Sequence, residues 1–135
     1  MPPTDAWVVD ASVLVDLVIA GASASSSSVA LAGSRLHAPA HVDLEVTSAL
    51  ARLQRAGLLS RAASGRALAA FGRTPLERHD LPSLVAGAWK RAGSLRVADA
   101  FYIELAHKLG VQVLTLDSRL ARASTFAVLP DGLEG

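Results

Sequence analysis

Ala6-Trp7-Val8-Val9-Asp10-Ala11-Ser12-Val13-Leu14-Val15-Asp16 changes its period halfway along. The first four residues form an apolar run that stops at a carboxylate. From Ala11 to Ile19 the apolar residues recur at helical spacing, up to Ala20-Gly21. This pattern predicts a strand, a sharp turn and a helix. A mirror of it lies near the other end of the chain. Phe101, Leu105 and Leu109 mark one helical face, Gly110 closes that helix, and Val111 to Leu116 is an apolar, β-branched run. Between them, Leu36 to Ala38 reads as a brief strand stopped by Pro39. Val42, Val46, Ala49, Leu50 and Leu53 form the stripe of a long helix ending near Gly57. Ser60 caps a further helix reaching Phe71-Gly72, Leu76 to His79 is extended, and Leu84 to Arg91 is helical after Pro82. The Ser-rich stretch Ser23 to Ser28 leads directly into Val29-Ala30-Leu31 and reads as a weak helix start. Continuous apolar strands alternating with helices predict a parallel sheet covered on both faces.

The chain has 135 residues, which fits one domain over 1–135. A hydrophobic fraction of 51 % against 19 % charged residues supplies a continuous core and excludes a disordered chain. The net charge of +1 is too small for general polyanion binding, so contact with nucleic acid would need local clustering. Arg52, Arg55, Arg61, Arg66, Arg73 and Arg78 provide such a cluster, with only Glu77 as an acid among them; a solvated helical face is the alternative. The lack of cysteine excludes disulfides, thiolate zinc sites and cysteine nucleophiles. Met1 to Asp5 lacks a signal-peptide pattern and Asp16 interrupts the apolar stretch after Val13, so a cytoplasmic chain without membrane attachment is expected.

In open parallel sheets ligands bind beyond the carboxyl ends of the strands, which directs attention to Asp10 and Asp117. Asp99 opens the last long helix, and Glu45 lies within the helix that follows Pro39. Each has a plain alternative. Asp10 and Asp117 fit helix caps, Asp99 fits a cap or dipole partner, and Glu45 fits a surface position. Taken together, four carboxylates at one crevice repel one another unless cations are present. Hard oxygen donors of this kind suit Mg2+ or Mn2+, which could activate water toward a phosphodiester. The hydroxyls of Ser12, Thr115 and Ser118 stand where they could hold those carboxylates or the ion's waters; ordinary turn roles are the alternative.

Val9-Asp10-Ala11-Ser12, the Pro39 to Leu50 stretch with Glu45, Ala98-Asp99-Ala100-Phe101-Tyr102 and Leu114-Thr115-Leu116-Asp117-Ser118-Arg119-Leu120 together resemble the PIN-domain ribonucleases, particularly the VapC-type toxins. The resemblance covers nearly the whole chain. It implies a three-layer α/β/α sandwich with a central parallel sheet, and Mg2+- or Mn2+-dependent cleavage of RNA. It also implies a homodimeric toxin neutralised by a small antitoxin protein. Asp10, Glu45, Asp99 and Asp117 match the family's acidic positions and Ser12 lies beside them, while the fourth acid varies within the family. Arg96, less typical before the Asp99 motif, is a candidate contact for substrate phosphate or a partner for an acid. Tyr102 is a candidate substrate contact by base stacking, whereas core packing suits Trp7 and Phe101.

His37, His41 and Glu45 are spaced by four, but Pro39 argues against one helix carrying all three; His41 could still approach the site as a neighbour of Glu45. No P-loop, Gly-rich phosphate loop or Gly-x-Ser-x-Gly elbow occurs. Two other functions fit clustered acids at strand ends: a receiver-type phosphoacceptor domain, and a catalytically silent PIN-like binding module. A receiver would need a lysine after a late strand, where this chain offers Arg119 and Arg122.

Overall fold

In the computed structural model, which describes residues 5–130, β1 (Ala6–Val9) lies at the centre of a five-stranded sheet. Trp7, Val8 and Val9 are buried whichever face they point to, which explains why the strand is apolar without alternation. β2 (Arg35–Pro39) and β4 (Val113–Leu114) flank it, while β3 (Glu77–His79) and β5 (Ala127–Val128) form the edges. The order is β3-β2-β1-β4-β5, and every pairing among these strands is parallel. A receiver-like sheet follows the order 2-1-3-4-5 and seats β1 beside β3. Here β1 lies between β2 and β4, which removes the receiver reading.

The helices are α1 (Ala11–Val18), α2 (Ala24–Leu31), α3 (Val42–Arg55), α4 (Arg61–Arg73), α5 (Val85–Arg91), α6 (Val97–Leu109) and α7 (Ser118–Ala123). α1 packs on α2, α3 and α4, while α5 packs on α6, which lies along β1, β2 and β4. The result is a three-layer α/β/α sandwich. Ser60 caps α4 as expected, its side chain accepting from the Ala63 amide at 3.0 Å. Gly110 closes α6 at φ 68°, a left-handed conformation that costs glycine nothing. At Gly87 a Cβ would collide with the carboxylate of Glu104, so this glycine permits the close approach of α5 to α6. That carboxylate is buried and accepts from Arg91 Nε at 3.2 Å. No helix among the described residues is long and apolar enough to cross a membrane. Residues 1–4, part of the segment read for a signal peptide, lie outside the described residues.

Three expectations change. The strand expected over Val111 to Leu116 is confined to Val113–Leu114, because the chain turns at once into the loop that serves the site. β5 was not foreseen: its two residues are too few to show a period, and they pair through Val113 N to Phe126 O and Thr115 N to Val128 O. The inward face of α6 is also rotated from the Phe101-Leu105-Leu109 line. Tyr102, Ile103, Leu105 and Ala106 are among its buried residues, whereas Phe101 is only partly buried and Leu109 is 38 % exposed. Both faces of α6 are contacted, one by the sheet and one by α5, so a single stripe could not locate the core.

The rotated face makes a direct stability test. Ile103→Ala should cost about 2–5 kcal/mol in urea unfolding through lost burial and a cavity. Leu109→Ala should cost less than about 1 kcal/mol.

Candidate active site

The chain order of the sheet reverses between β1 and β4, one strand leading on to β2 and the other to β5. The carboxyl ends of these two strands therefore diverge into a crevice, where an open parallel sheet binds ligands. Asp10 stands at the end of β1. It occupies the N-cap position of α1 with extended φ and ψ, yet its side chain makes no capping bond. Its Oδ2 instead accepts from Ser12 Oγ at 2.7 Å and from Thr115 Oγ1 at 2.8 Å. Both hydroxyls are oriented from behind: Ser12 Oγ accepts from the Leu116 amide and Thr115 Oγ1 from the Asp117 amide, each at 3.0 Å. The loop after β4 thus holds the carboxylate at the end of β1, and the Asp10 amide to Leu114 carbonyl bond at 3.0 Å closes the connection. Oδ1 has no protein donor among the described residues and is left for the crevice.

Asp10, Glu45, Asp99 and Asp117 line one cavity of about 300 Å³, together with Ser12, Arg52 and Arg96. They are brought there from the ends of two strands and the first turns of two helices. Glu45 Oε1 accepts from the Tyr102 hydroxyl at 2.7 Å, and its carboxylate lies 3.6 Å from His41 Nε2. Asp99 is buried in the first turn of α6, where its two oxygens meet Arg96 Nε at 3.1 Å and Nη2 at 3.4 Å. Asp117 caps α7, accepting from the amides of Arg119 and Leu120 at 2.9 and 3.4 Å. The capping alternative therefore holds for Asp117 and fails for Asp10 and Asp99. Glu45 is not a surface residue, its side chain being 28 % exposed and tied across the layers to α6.

Burial pushes the Asp10 carboxyl above its ordinary value; the Ser12 and Thr115 hydrogen bonds oppose this, and the charges of Glu45 and Asp99 add to it. The Tyr102 hydroxyl is pushed up as well, by burial and then by Glu45, so it stays a donor to that carboxylate. Arg96 is raised by its hydrogen bond and ion pair with Asp99. The protein itself thus supplies two arginines to the four acids, Arg96 to Asp99 at 3.1 Å and the more exposed Arg119 to Asp117 at 3.6 Å. Their donor set is wholly carboxylate and hydroxyl oxygen, which fits a hard dication such as Mg2+ or Mn2+ and would not select a soft one.

Tyr102 and Ser118 depart from expectation, while Arg96, Trp7 and the histidines follow alternatives already weighed. Tyr102 is completely buried and its hydroxyl is spent on Glu45, so it holds a carboxylate and offers no open ring face for base stacking. Ser118 is exposed and forms no side-chain hydrogen bond among the described residues, unlike Ser12 and Thr115. Arg96 pairs with Asp99, although its side chain is 69 % exposed. His37, His41 and Glu45 do not share a helix: His37 is in β2, His41 precedes α3 and Glu45 lies within it. Asp43, in the first turn of α3, pairs with Arg78 at 2.7 Å. Trp7 is buried in the core. His41 lies beside Glu45 as expected but does more than neighbour it, and Arg119 escaped the sequence reading. His41 packs edge-on against Phe101 and Tyr102 and bonds the Ala98 carbonyl at 3.1 Å, tying α3 to α6. Arg119 lines a second cavity of about 150 Å³ that shares Arg96, Asp99 and Asp117 with the first. The Thr-x-Asp-Ser-Arg run carried Arg119, but nothing linear placed it beside Arg96.

A family model described as the PIN domain matches residues 7–125. Ribonuclease VapC3 of Mycobacterium tuberculosis is 50 % identical over 122 residues, covering 90 % of this chain and 89 % of that protein. Among solved structures, M. tuberculosis VapC20, a sarcin-ricin loop cleaving toxin, superposes with a TM-score of 0.65 at 21 % identity, over 87 % of this chain and 94 % of that one. VapBC2 of Rickettsia felis, solved with a DNA fragment from its promoter, gives a TM-score of 0.63 at 12 % identity, over 93 % and 99 %. At these identities the two structures share the fold.

The raised Asp10 carboxyl has a stability consequence with a definite sign. In the unfolded chain the group ionises near its ordinary 3.8, and in the folded chain it does so later. The cost of its ionisation builds as pH rises between those two values and is full above the folded-state value. Asp10→Asn should therefore raise the melting temperature at neutral pH, in chelator, by a few degrees. The gain should shrink on acidification. An unchanged or lower melting temperature in calorimetry would mean that Ser12 and Thr115 already offset the burial.

Proposed function

The chain belongs to the PIN-domain family as a VapC-type ribonuclease, and on that premise we propose that it is a Mg2+- or Mn2+-dependent endoribonuclease toxin of the cytoplasm, neutralised by a small cognate antitoxin. One observation carries the reading: a buried carboxylate, Asp10, held on one oxygen by two hydroxyls, with three further acids on the same cavity. Such a cluster is unfavourable by itself and becomes favourable with cations.

Asp10 and Asp99 would hold the ion, with Glu45 beside them and Asp117 contributing through whatever its cap bonds leave free. When bound, the ion supplies Lewis acidity toward a phosphodiester and its leaving oxygen. Ser12 and Thr115 keep the Asp10 carboxylate in one orientation, and Tyr102 does the same for Glu45. Arg52, Arg96 and Arg119 border the two joined cavities, so an incoming polyanion meets positive charge on the rim and acids on the floor. The exposed side chain of Arg96 can move from Asp99 to a phosphate when the acids are otherwise neutralised. Val85, Trp89 and Val97 are large, apolar and exposed around a hollow that includes Ala88 and Phe101. A face of this kind supports contact with protein, as an antitoxin or a second copy in a homodimer would provide.

A catalytically silent PIN-like module is the other reading, and one assay separates the two. Purified chain should cut RNA when Mg2+ or Mn2+ is added and stop when chelator is added. Asp10→Asn and Asp99→Asn should each lower the rate by more than about 100-fold, and Thr115→Val by about 10- to 100-fold through a loosened Asp10. Equal behaviour of wild type and both Asn variants would end the nuclease reading.

A further inference from the structure

A second group of metal-ligating side chains lies away from the acids, where β2 meets the edge strand β3. His37 is in register with Glu77, and Pro39 with His79. Residues two apart on a strand share a face, so Glu77, His79 and His37 project to the same side. Their reach brings them to one point. His37 Nδ1 lies 2.9 Å from His79 Nε2 and 3.2 Å from Glu77 Oε2, and one ligand atom from each of the three falls within 4.8 Å of the others. None of the three lines the cavity of the four acids.

Hydrogen bonding accounts for only part of this convergence. His37 Nδ1 is either a donor or an acceptor, so it can donate to Glu77 or to His79, or accept from His79, but cannot serve both contacts at once. A dication among the three atoms serves all of them. Two imidazole nitrogens on one tetrahedral Zn2+, at about 2.0–2.1 Å each, stand roughly 3.3 Å apart, so the observed separation needs only a small opening. The burial also suits an ion site: His37 is 7 % exposed, His79 is intermediate and the Glu77 side chain is 65 % exposed, giving a buried base and an open approach. Arg35, two residues before His37 and on the same face, is the nearby opposing charge.

We propose that His37, Glu77 and His79 form a second metal site, of two histidines and one carboxylate, that takes Zn2+. Imidazole donors favour Zn2+ and its neighbours over Mg2+ and Mn2+, so the two sites of this chain divide the ions between them. Three protein ligands leave a position for water. β3 has three residues and stands at an edge, where the ion would fasten it to β2. The Ala40 amide bonds the His79 carbonyl at 2.8 Å, and His41 and α3 follow directly, so the fastening bears on the segment that delivers Glu45.

The test uses the full, tag-free chain stripped with chelator, in the Asp10→Asn, Asp99→Asn background that disables the acidic site. Titration calorimetry with Zn2+ should give one ion per chain. Co2+ should give the visible bands of a low-symmetry, histidine-bound ion. Adding His79→Ala should abolish both signals, and Glu77→Gln should weaken Zn2+ binding at least tenfold while circular dichroism stays unchanged. No Zn2+ bound in the acid-disabled background, or an isotherm indifferent to both His79→Ala and Glu77→Gln, would overturn the proposal. Because the background lacks the acidic site, neither outcome depends on the nuclease reading.

Discussion

The carboxylate of Asp10 is held at the point where the chain order of the sheet reverses, and most of the functional architecture follows from the need to hold it there. A carboxylate this buried is unfavourable unless its oxygens are engaged. The Ser12 and Thr115 hydroxyls meet that need on one oxygen, and the amides of Leu116 and Asp117 orient the hydroxyls. The bonds can form only if β4 ends two residues before Leu116 and lies next to β1. This accounts for the brevity of β4 and for the irregular chain that follows it.

The remaining acids are each restrained by a different device, and the devices are not equivalent. Asp117 is committed to the amides of α7 through Oδ1, which restricts what it can offer elsewhere. Asp99 is neutralised by a side chain from its own helix turn that remains largely in solvent, an arrangement easily exchanged for another cation. Glu45 is held by a buried tyrosine whose hydroxyl is kept protonated by the same surroundings that make the bond strong. His41 joins this contact by bridging α3 to the Ala98 carbonyl at the start of α6. The two helical layers are thereby pinned together at the carboxyl edge of the sheet, next to the cavity.

Much of this was legible from local pattern. The central strand, the helix it feeds, the Ser60 cap and the Gly110 terminus were all read from residue type and spacing, because each depends on neighbours within one or two turns. Where the reading went astray, the cause was contact between distant segments. Phe101, Leu105 and Leu109 do lie on one face, but α6 is covered on two sides, so a single stripe could not say which residues are buried deepest. Tyr102 looked available to substrate because an aromatic beside an acidic motif carries no mark of its own depth.

The sequence by itself determined that Asp10 and Asp117 would follow strands, that Asp99 would open a helix and that Glu45 would lie within one, since strand ends and helix starts are set by local periodicity and turn chemistry. It left each acid with a second explanation as cap or surface group. Tertiary structure alone decided among them, because strand order sets which chain ends are neighbours. That order put Thr115 against Asp10, Tyr102 against Glu45, and His37 against two residues some 40 positions later in the chain. Hydrogen-bond partners separated by dozens of residues leave no periodic trace, and a carboxylate's role follows from its partners.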